Sequence, residues 1–126
     1  LSMIKFYNNY MFKEDQRGKL VGLINKKSWK EINYFETNKN QIRANHYHKF
    51  TDELFIVLKG KIKIKLTKVM EDGKLDKKFK IYNIRKNDVF VIKKMTHHIF
   101  EILEDAVWLN ALTIKMDEEN PDILSF

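Results

Sequence analysis

Residues 53–66 read ELFIVLKGKIKIKL, and the second half alternates so strictly that it cannot present one apolar face on a helix. Lys59, Lys61, Lys63 and Lys65 fall on one side, and Ile62, Ile64 and Leu66 on the other. That period of two belongs to a strand with one face buried. Such a strand needs partners, so the rest of the chain must supply a sheet. It does: the same period, rich in β-branched and aromatic residues, recurs in KLVGLIN (19–25), INYFET (32–37), QIRANHYH (41–48), FKIYNI (79–84), DVFVIK (88–93), HIFEIL (98–103) and VWLNALTIKM (107–116). EDGKLD (71–76) reads as a hairpin loop, RKND (85–88) and LED (103–105) as tight turns, and EENPD (118–122) as a surface tail. KSWKEI (27–32) has room for one helical turn, but no segment sustains a 3.6-residue repeat. The expectation is one all-β domain over residues 3–126, a sandwich or barrel, with Leu1 and Ser2 read as a tag remnant ahead of Met3.

Composition removes several function classes. A chain of 126 residues buries about two thirds of its extended surface, enough for a core without staples. Cysteine is absent, which excludes disulfides, thiolate metal sites and cysteine nucleophiles. No apolar run approaches the roughly 18 residues of a membrane span, and no secretory signal pattern opens the chain, so no membrane partner and a cytoplasmic location are expected. The net charge is +7. Only Arg17, Arg43 and Arg85 are arginines, however, and the lysines are spread along strands as solvated faces. No nucleic-acid partner is expected; a basic surface favours a phosphorylated or otherwise anionic small molecule.

The chemistry concentrates in four histidines. On a strand, His46 and His48 share a face while Tyr47 points away. After a short turn, Glu53 opens the next strand on the face of Phe55 and Val57. His97 and His98 are adjacent and so face opposite ways; His98 shares its face with Phe100 and Ile102 and is the better interior candidate. Three imidazoles and a carboxylate form a ligand set for a divalent ion such as zinc, iron, manganese or nickel. The alternative reading of the same residues is a satisfied polar cluster inside the barrel.

His-x-His, four residues, Glu, six residues and Gly, with a strand-borne His some 40 residues later, resembles the two motifs of the cupins: His46, His48, Glu53 and Gly60 match the first, and NDVFVIKKMTHH, ending at His98, the second. Asn40 and Asn87 stand where glycines are usual, and Lys93 and Met95 replace the usual proline and glycine. The resemblance implies a cupin jelly-roll β-barrel with the metal held by His46, His48, Glu53 and His98. DQRGKL (15–20) and IRANHYH (42–48) are similar to paired motifs of cupins acting on nucleotide-linked 4-keto-6-deoxy sugars, the 3,5-epimerases and 3,4-ketoisomerases. RANHYH, ELF, VWLNAL and ENPD resemble more closely the C-terminal cupin domain of capsular polysaccharide biosynthesis reductases, over residues 12–122. Ala44 replaces a glycine of that family.

These resemblances imply a sugar-nucleotide epimerase or ketoisomerase of surface polysaccharide biosynthesis, moving a proton next to a ketone. His46, His48 and Glu53 are then the catalytic candidates, and Arg43, Arg17 and Tyr47 the substrate-binding ones. Simple alternation puts Arg43 on the face opposite His46, so its role requires a bulge. Trp29 and Trp108 read as packing residues. Two other classes use the same barrel: a non-catalytic metal- or small-molecule-binding module, and a metal-dependent dioxygenase. A homodimer is expected, with the apolar run MIKFYNNYMF (3–12) crossing to a second subunit or pairing at an edge of its own sheet.

Overall fold

The computed structural model describes residues 2–126; Leu1, read as a tag residue, lies outside them. Among the described residues every regular element is a strand, and no helix is long and apolar enough to cross a membrane. Nine strands follow in order: β1 (Ile4–Phe6), β2 (Met11–Asp15), β3 (Gly18–Gly22), β4 (Glu31–Thr37), β5 (Ile42–His46), β6 (Glu53–Val69), β7 (Leu75–Arg85), β8 (Val89–Ile92) and β9 (Thr96–Leu112).

Two 17-residue strands, β6 and β9, carry the architecture. They pair antiparallel along their whole length, Glu53 against Leu112 at one end and Lys68 against Thr96 at the other. The first half of β6 is flanked by β8, and β8 by β1, while the matching half of β9 is flanked by β4. The second half of β6 is flanked by β7, and the facing half of β9 by β5. The halves fold over one another at a corner and bury one core between them, as in a jelly roll. Rings from both halves meet there: Phe55 lies 5.0 Å from Phe100 and 5.5 Å from Trp108, centroid to centroid.

The corner explains an oddity of phase in β6. Phe55 and Val57 point inward at odd positions, Ile62, Ile64 and Leu66 at even ones. The β6–β9 register slips three times between Val57 and Ile62, and a slip of one residue exchanges the faces of a strand. Gly60 sits within the slip at φ +99°, where a Cβ would lie 2.5 Å from the Asp105 carbonyl oxygen and 2.8 Å from the Ala106 Cα. Only glycine allows the two backbones to approach this closely.

Several expectations change. LED (103–105) is not a turn but part of β9, because the chain bends there without reversing. KSWKEI forms no helical turn; Glu31 and Ile32 begin β4. Part of the N-terminal run pairs at its own sheet edge, Ile4 with Ile92 and Phe6 with Phe90. Met11–Asp15 instead forms a separate two-stranded hairpin with Gly18–Gly22. The hairpin loop expected at 71–76 is shorter, since Leu75 and Asp76 already belong to β7, whereas the turn at 85–88 and the exposed lysine row stand as expected. Strand β8 is buried on both faces, since Leu54, Val89, Val91 and Ala111 form a second cluster under Tyr7, Leu23, Ile24 and Trp29.

Candidate functional site

β5 delivers the first ligand candidate through a distortion. Ala44 and Asn45 both take left-handed backbone, at φ 67° and 61°, and the β5–β9 register shifts between Ala44 and His46. The shift places Arg43 opposite Phe100 and His46 opposite His98, so Arg43 and His46 reach the same inner face although they are three positions apart, an odd spacing that regular alternation would put on opposite faces. Asn40, Asn87 and Met95, at the motif positions where glycine is usual, are left-handed as well (φ 71°, 79° and 61°). These turns keep a glycine-like geometry with other residues, asparagine being the side chain that tolerates it best.

His46, His48, Glu53 and His98 converge: one ligand atom from each lies within 4.8 Å of the others. His48, Glu53 and His98 are buried, and His46 is half-buried. The His46 ring centroid is 4.9 Å from those of both His48 and His98.

The hydrogen bonds decide which atoms face the centre. His48 Nδ1–H donates to the Asp122 carbonyl at 2.6 Å, and His98 Nδ1–H donates to the Thr96 carbonyl at 2.9 Å. A carbonyl only accepts, so both rings carry a proton on Nδ1 and turn Nε2 inward. His48 Nε2 stands 3.0 Å and His98 Nε2 3.4 Å from Glu53 Oε1. His98 Nε2 is buried with no hydrogen-bond partner among the described residues. The other carboxylate oxygen, Oε2, accepts from Asn110 Nδ2, whose Oδ1 in turn accepts from Asn33 Nδ2 at 3.0 Å. One carboxylate oxygen is therefore tied back, and the other is aimed at two imidazole nitrogens. An orphaned buried Nε2, two tautomers fixed by backbone carbonyls and a carboxylate on one point fit a divalent cation.

The same contacts shift the protonation equilibria. Burial disfavours charge on His46, and the neighbouring imidazoles add to that, lowering its pKa to about 4. Burial opposes the charged form of His48 too, but the hydrogen bond and charge of Glu53 outweigh it and raise its pKa. Burial acts against the Glu53 anion, yet the two imidazoles prevail and hold its pKa below the usual carboxylate range.

The sign for stability follows for the metal-free protein. A histidine depressed in the folded state contributes stability that is complete above its unfolded value of 6.5 and is lost as pH falls through about 4. The urea midpoint of the metal-free protein is expected to fall between pH 6.5 and pH 4, and His46→Gln to flatten that decline. An equal slope in the variant would contradict this assignment.

The structure does not bring Arg17 or Tyr47 to the cluster. Arg17 sits at the tip of the β2–β3 hairpin, its side chain 85% exposed, paired with Asp15 at 2.7 Å. Tyr47, the residue after β5, turns away from the cluster, as alternation requires, and is buried against Phe126 with centroids 5.4 Å apart. Arg43 is on the inner face: its Nε donates to Thr37 Oγ1 at 3.2 Å, and its guanidinium lies over Phe35. His97 lies on the outer face against Phe126. Asn110 was not singled out from the sequence, although a polar residue in phase with Trp108 and Leu112 on an apolar face was a legible signal.

The family model of the polysaccharide biosynthesis C-terminal domain matches residues 13–123. Among curated proteins none matches the chain. Among solved structures, a TDP-quinovose 3,4-ketoisomerase from Campylobacter jejuni superposes with a TM-score of 0.81 at 20% identity, covering 100% of this chain and 95% of that one. A dTDP-4-dehydrorhamnose 3,5-epimerase from Bacillus anthracis gives 0.77 at 17% identity, over 95% and 76% of the two chains. The capsular polysaccharide assembling protein CapF from Staphylococcus aureus gives 0.68 at 22% identity, with 95% of this chain matching 34% of that longer one. At these identities the likenesses establish the cupin-like jelly-roll fold. The family match, covering nearly the whole chain, establishes more: the chain belongs to the polysaccharide biosynthesis C-terminal domain family.

Proposed function

We propose that this protein is a sugar-nucleotide epimerase or ketoisomerase of surface polysaccharide biosynthesis, acting beside the ketone of a nucleotide-linked 4-keto-6-deoxy sugar in the cytoplasm. The observation that carries the reading is the convergence of His46, His48, Glu53 and His98 on the inner face that also holds Arg43. Support also comes from the fold-level likeness to 3,4-ketoisomerases, one of them solved in complex with TDP-4-keto-6-deoxyglucose, and from the family's place in polysaccharide biosynthesis.

A 4-keto group acidifies the neighbouring C–H bonds, and a base removes one proton to give an enediolate. Reprotonation on the opposite face inverts the carbon. Protonation at the former carbonyl carbon, with loss of the neighbouring hydroxyl proton, moves the ketone instead. In the metal-free form His46 is the candidate base: it is half-exposed and neutral at pH 7, whereas both nitrogens of His48 are engaged. The four side chains would hold a divalent cation, whose chemistry is Lewis-acid polarisation of the substrate oxygen. Arg43 is the group suited to the diphosphate or the enediolate oxygen, as a fixed guanidinium fork.

Removing that fork with Arg43→Ala is expected to raise KM about tenfold, the size of one charge-assisted hydrogen bond. Bound metal should not change, since Arg43 touches none of the four ligand candidates. Metal loss in this variant would show that Arg43 supports the centre instead. We assign the homodimer interface to the β2–β3 hairpin, where Tyr10, Phe12 and Leu20 are exposed; a monomer by light scattering would end that assignment.

The deciding experiment incubates the protein with TDP-4-keto-6-deoxyglucose in D2O and follows the sugar by NMR. An isomerase exchanges deuterium into the carbon next to the ketone, and the product identifies epimer or migrated ketone. Oxygen uptake without exchange would identify the dioxygenase alternative. Saturable binding with neither would leave a binding module.

A further inference from the structure

The segment that closes the chain reads as a surface tail, and residues 117–121 are exposed. From Asp122 onward it does something else. It engages every residue from Tyr47 to Thr51. Tyr47 and Leu124 exchange backbone hydrogen bonds of 2.9 Å in both directions. The Asp122 carbonyl accepts from His48 Nδ1 at 2.6 Å. The Asp122 carboxylate accepts from Lys49 N, Phe50 N and Thr51 Oγ1, each at 2.8 Å. Phe126 then rests on both Tyr47 and His97.

We infer that Asp122 is a positioning residue of the centre: its carboxylate locks the turn after His48, and that lock holds its own carbonyl against His48 Nδ1, fixing the ring's tautomer and orientation. The inference rests on the reading of the cluster as a cation site and deepens it. A tail that only covered a strand would need the Leu124 pairing and the Phe126 contact. It would have no use for a carboxylate taking three donors from the residues directly after a ligand candidate. The two roles of Asp122 also depend on each other. Without the side-chain bonds, the nearest anchor on this segment is the Leu124 pairing with Tyr47, two residues further on, so the carbonyl is no longer held at 2.6 Å and the imidazole becomes free to swap tautomers or rotate.

The test uses the full chain with 15N-labelled histidine, as Asp122→Ala and Asp122→Asn beside the unaltered protein. In the metal-free state, His48 Nδ1–H is expected as a slowly exchanging signal that Asp122→Ala loses. The His98 Nδ1–H signal, anchored on Thr96, is expected to persist and reports that the barrel is intact. Zn2+ affinity by chelator competition is expected to fall about 10–100-fold in Asp122→Ala, the usual cost of removing a group that orients a ligand. Asp122→Asn keeps an acceptor oxygen and should recover part of both readouts. Unchanged His48 signal and Zn2+ affinity in Asp122→Ala would overturn the inference. So would loss of the His98 signal together with that of His48, which would mean general loosening. If the unaltered protein takes up no Zn2+, the cation reading fails, while the His48 signal still decides the positioning role.

Discussion

Glu53→Gln is expected, on the proposed reading of the cluster as a cation site, to abolish uptake of a divalent ion and to lower turnover of a 4-keto sugar nucleotide by about 10²–10⁴-fold, the range associated with a positioned acid–base group. The reason lies in how the two carboxylate oxygens are used. Oε2 is tied to Asn110, and Oε1 is the anionic atom between the Nε2 atoms of His48 and His98. A glutamine fills the same space. Its oxygen can accept from Asn110, leaving an NH2 group where Oε1 stood, and an NH2 group cannot ligate a cation. It can instead donate to the Nε2 lone pair of His48, so the metal-free variant is expected to remain folded at pH 7. Its pH dependence should change with the charge. A depressed carboxyl contributes stability that is present above its unfolded value of 4.5 and is lost as pH falls through its folded value. The variant lacks that contribution and should unfold less steeply in acid. Metal analysis, turnover and denaturation at pH 7 and pH 4 check the three parts separately. Full metal content together with full turnover would remove Glu53 from the centre.

The second large effect concerns the corner. Gly60→Ala is expected to destabilise the protein by about 3 kcal/mol, combining overpacking against fixed backbone with a backbone conformation that L side chains avoid. The added methyl would meet the Asp105 carbonyl oxygen at 2.5 Å, and neither β6 nor β9 can give way without disturbing the register slip they share. Gly73→Ala is the control. Gly73 is also left-handed, at φ 82°, but a methyl there meets nothing within 4 Å. Its expected cost is only the conformational part, about 1–2 kcal/mol. The difference between the two variants in thermal or urea unfolding isolates the close approach of β6 and β9. Equal losses would mean that the corner has room to spare.

Much of the site was legible before any fold. His46, His48 and Glu53 were placed on a shared face by period-two alternation and picked out as a set by the His-x-His, Glu and Gly spacing that resembles the cupin motif, and the choice of His98 over His97 follows from the phase of Phe100 and Ile102. The alternation argument was incomplete at two places, for one reason. At Ala44–Asn45 and around Gly60 the chain inserts residues into the ladder, and each insertion reverses the faces of everything beyond it. That is how Arg43 joins His46, and how β6 changes from odd to even interior positions. LED was mistaken for a turn because a corner in a long strand and a reversal use similar polar residues.

Which residue types could meet on an inner face was decided locally, by the repeat of two and by the steric demands of single backbone positions. What orients them came from pairs distant in the chain. Asp122 reaches His48 across 74 positions and Asn110 reaches Glu53 across 57. Arg17 and Tyr47, read as site residues from the motifs around them, are carried elsewhere, Arg17 by a hairpin and Tyr47 by a side chain that turns away from the cluster. Alternation knows only neighbours along one strand, whereas the tautomer of an imidazole is set by whichever acceptor the completed fold brings to its other nitrogen.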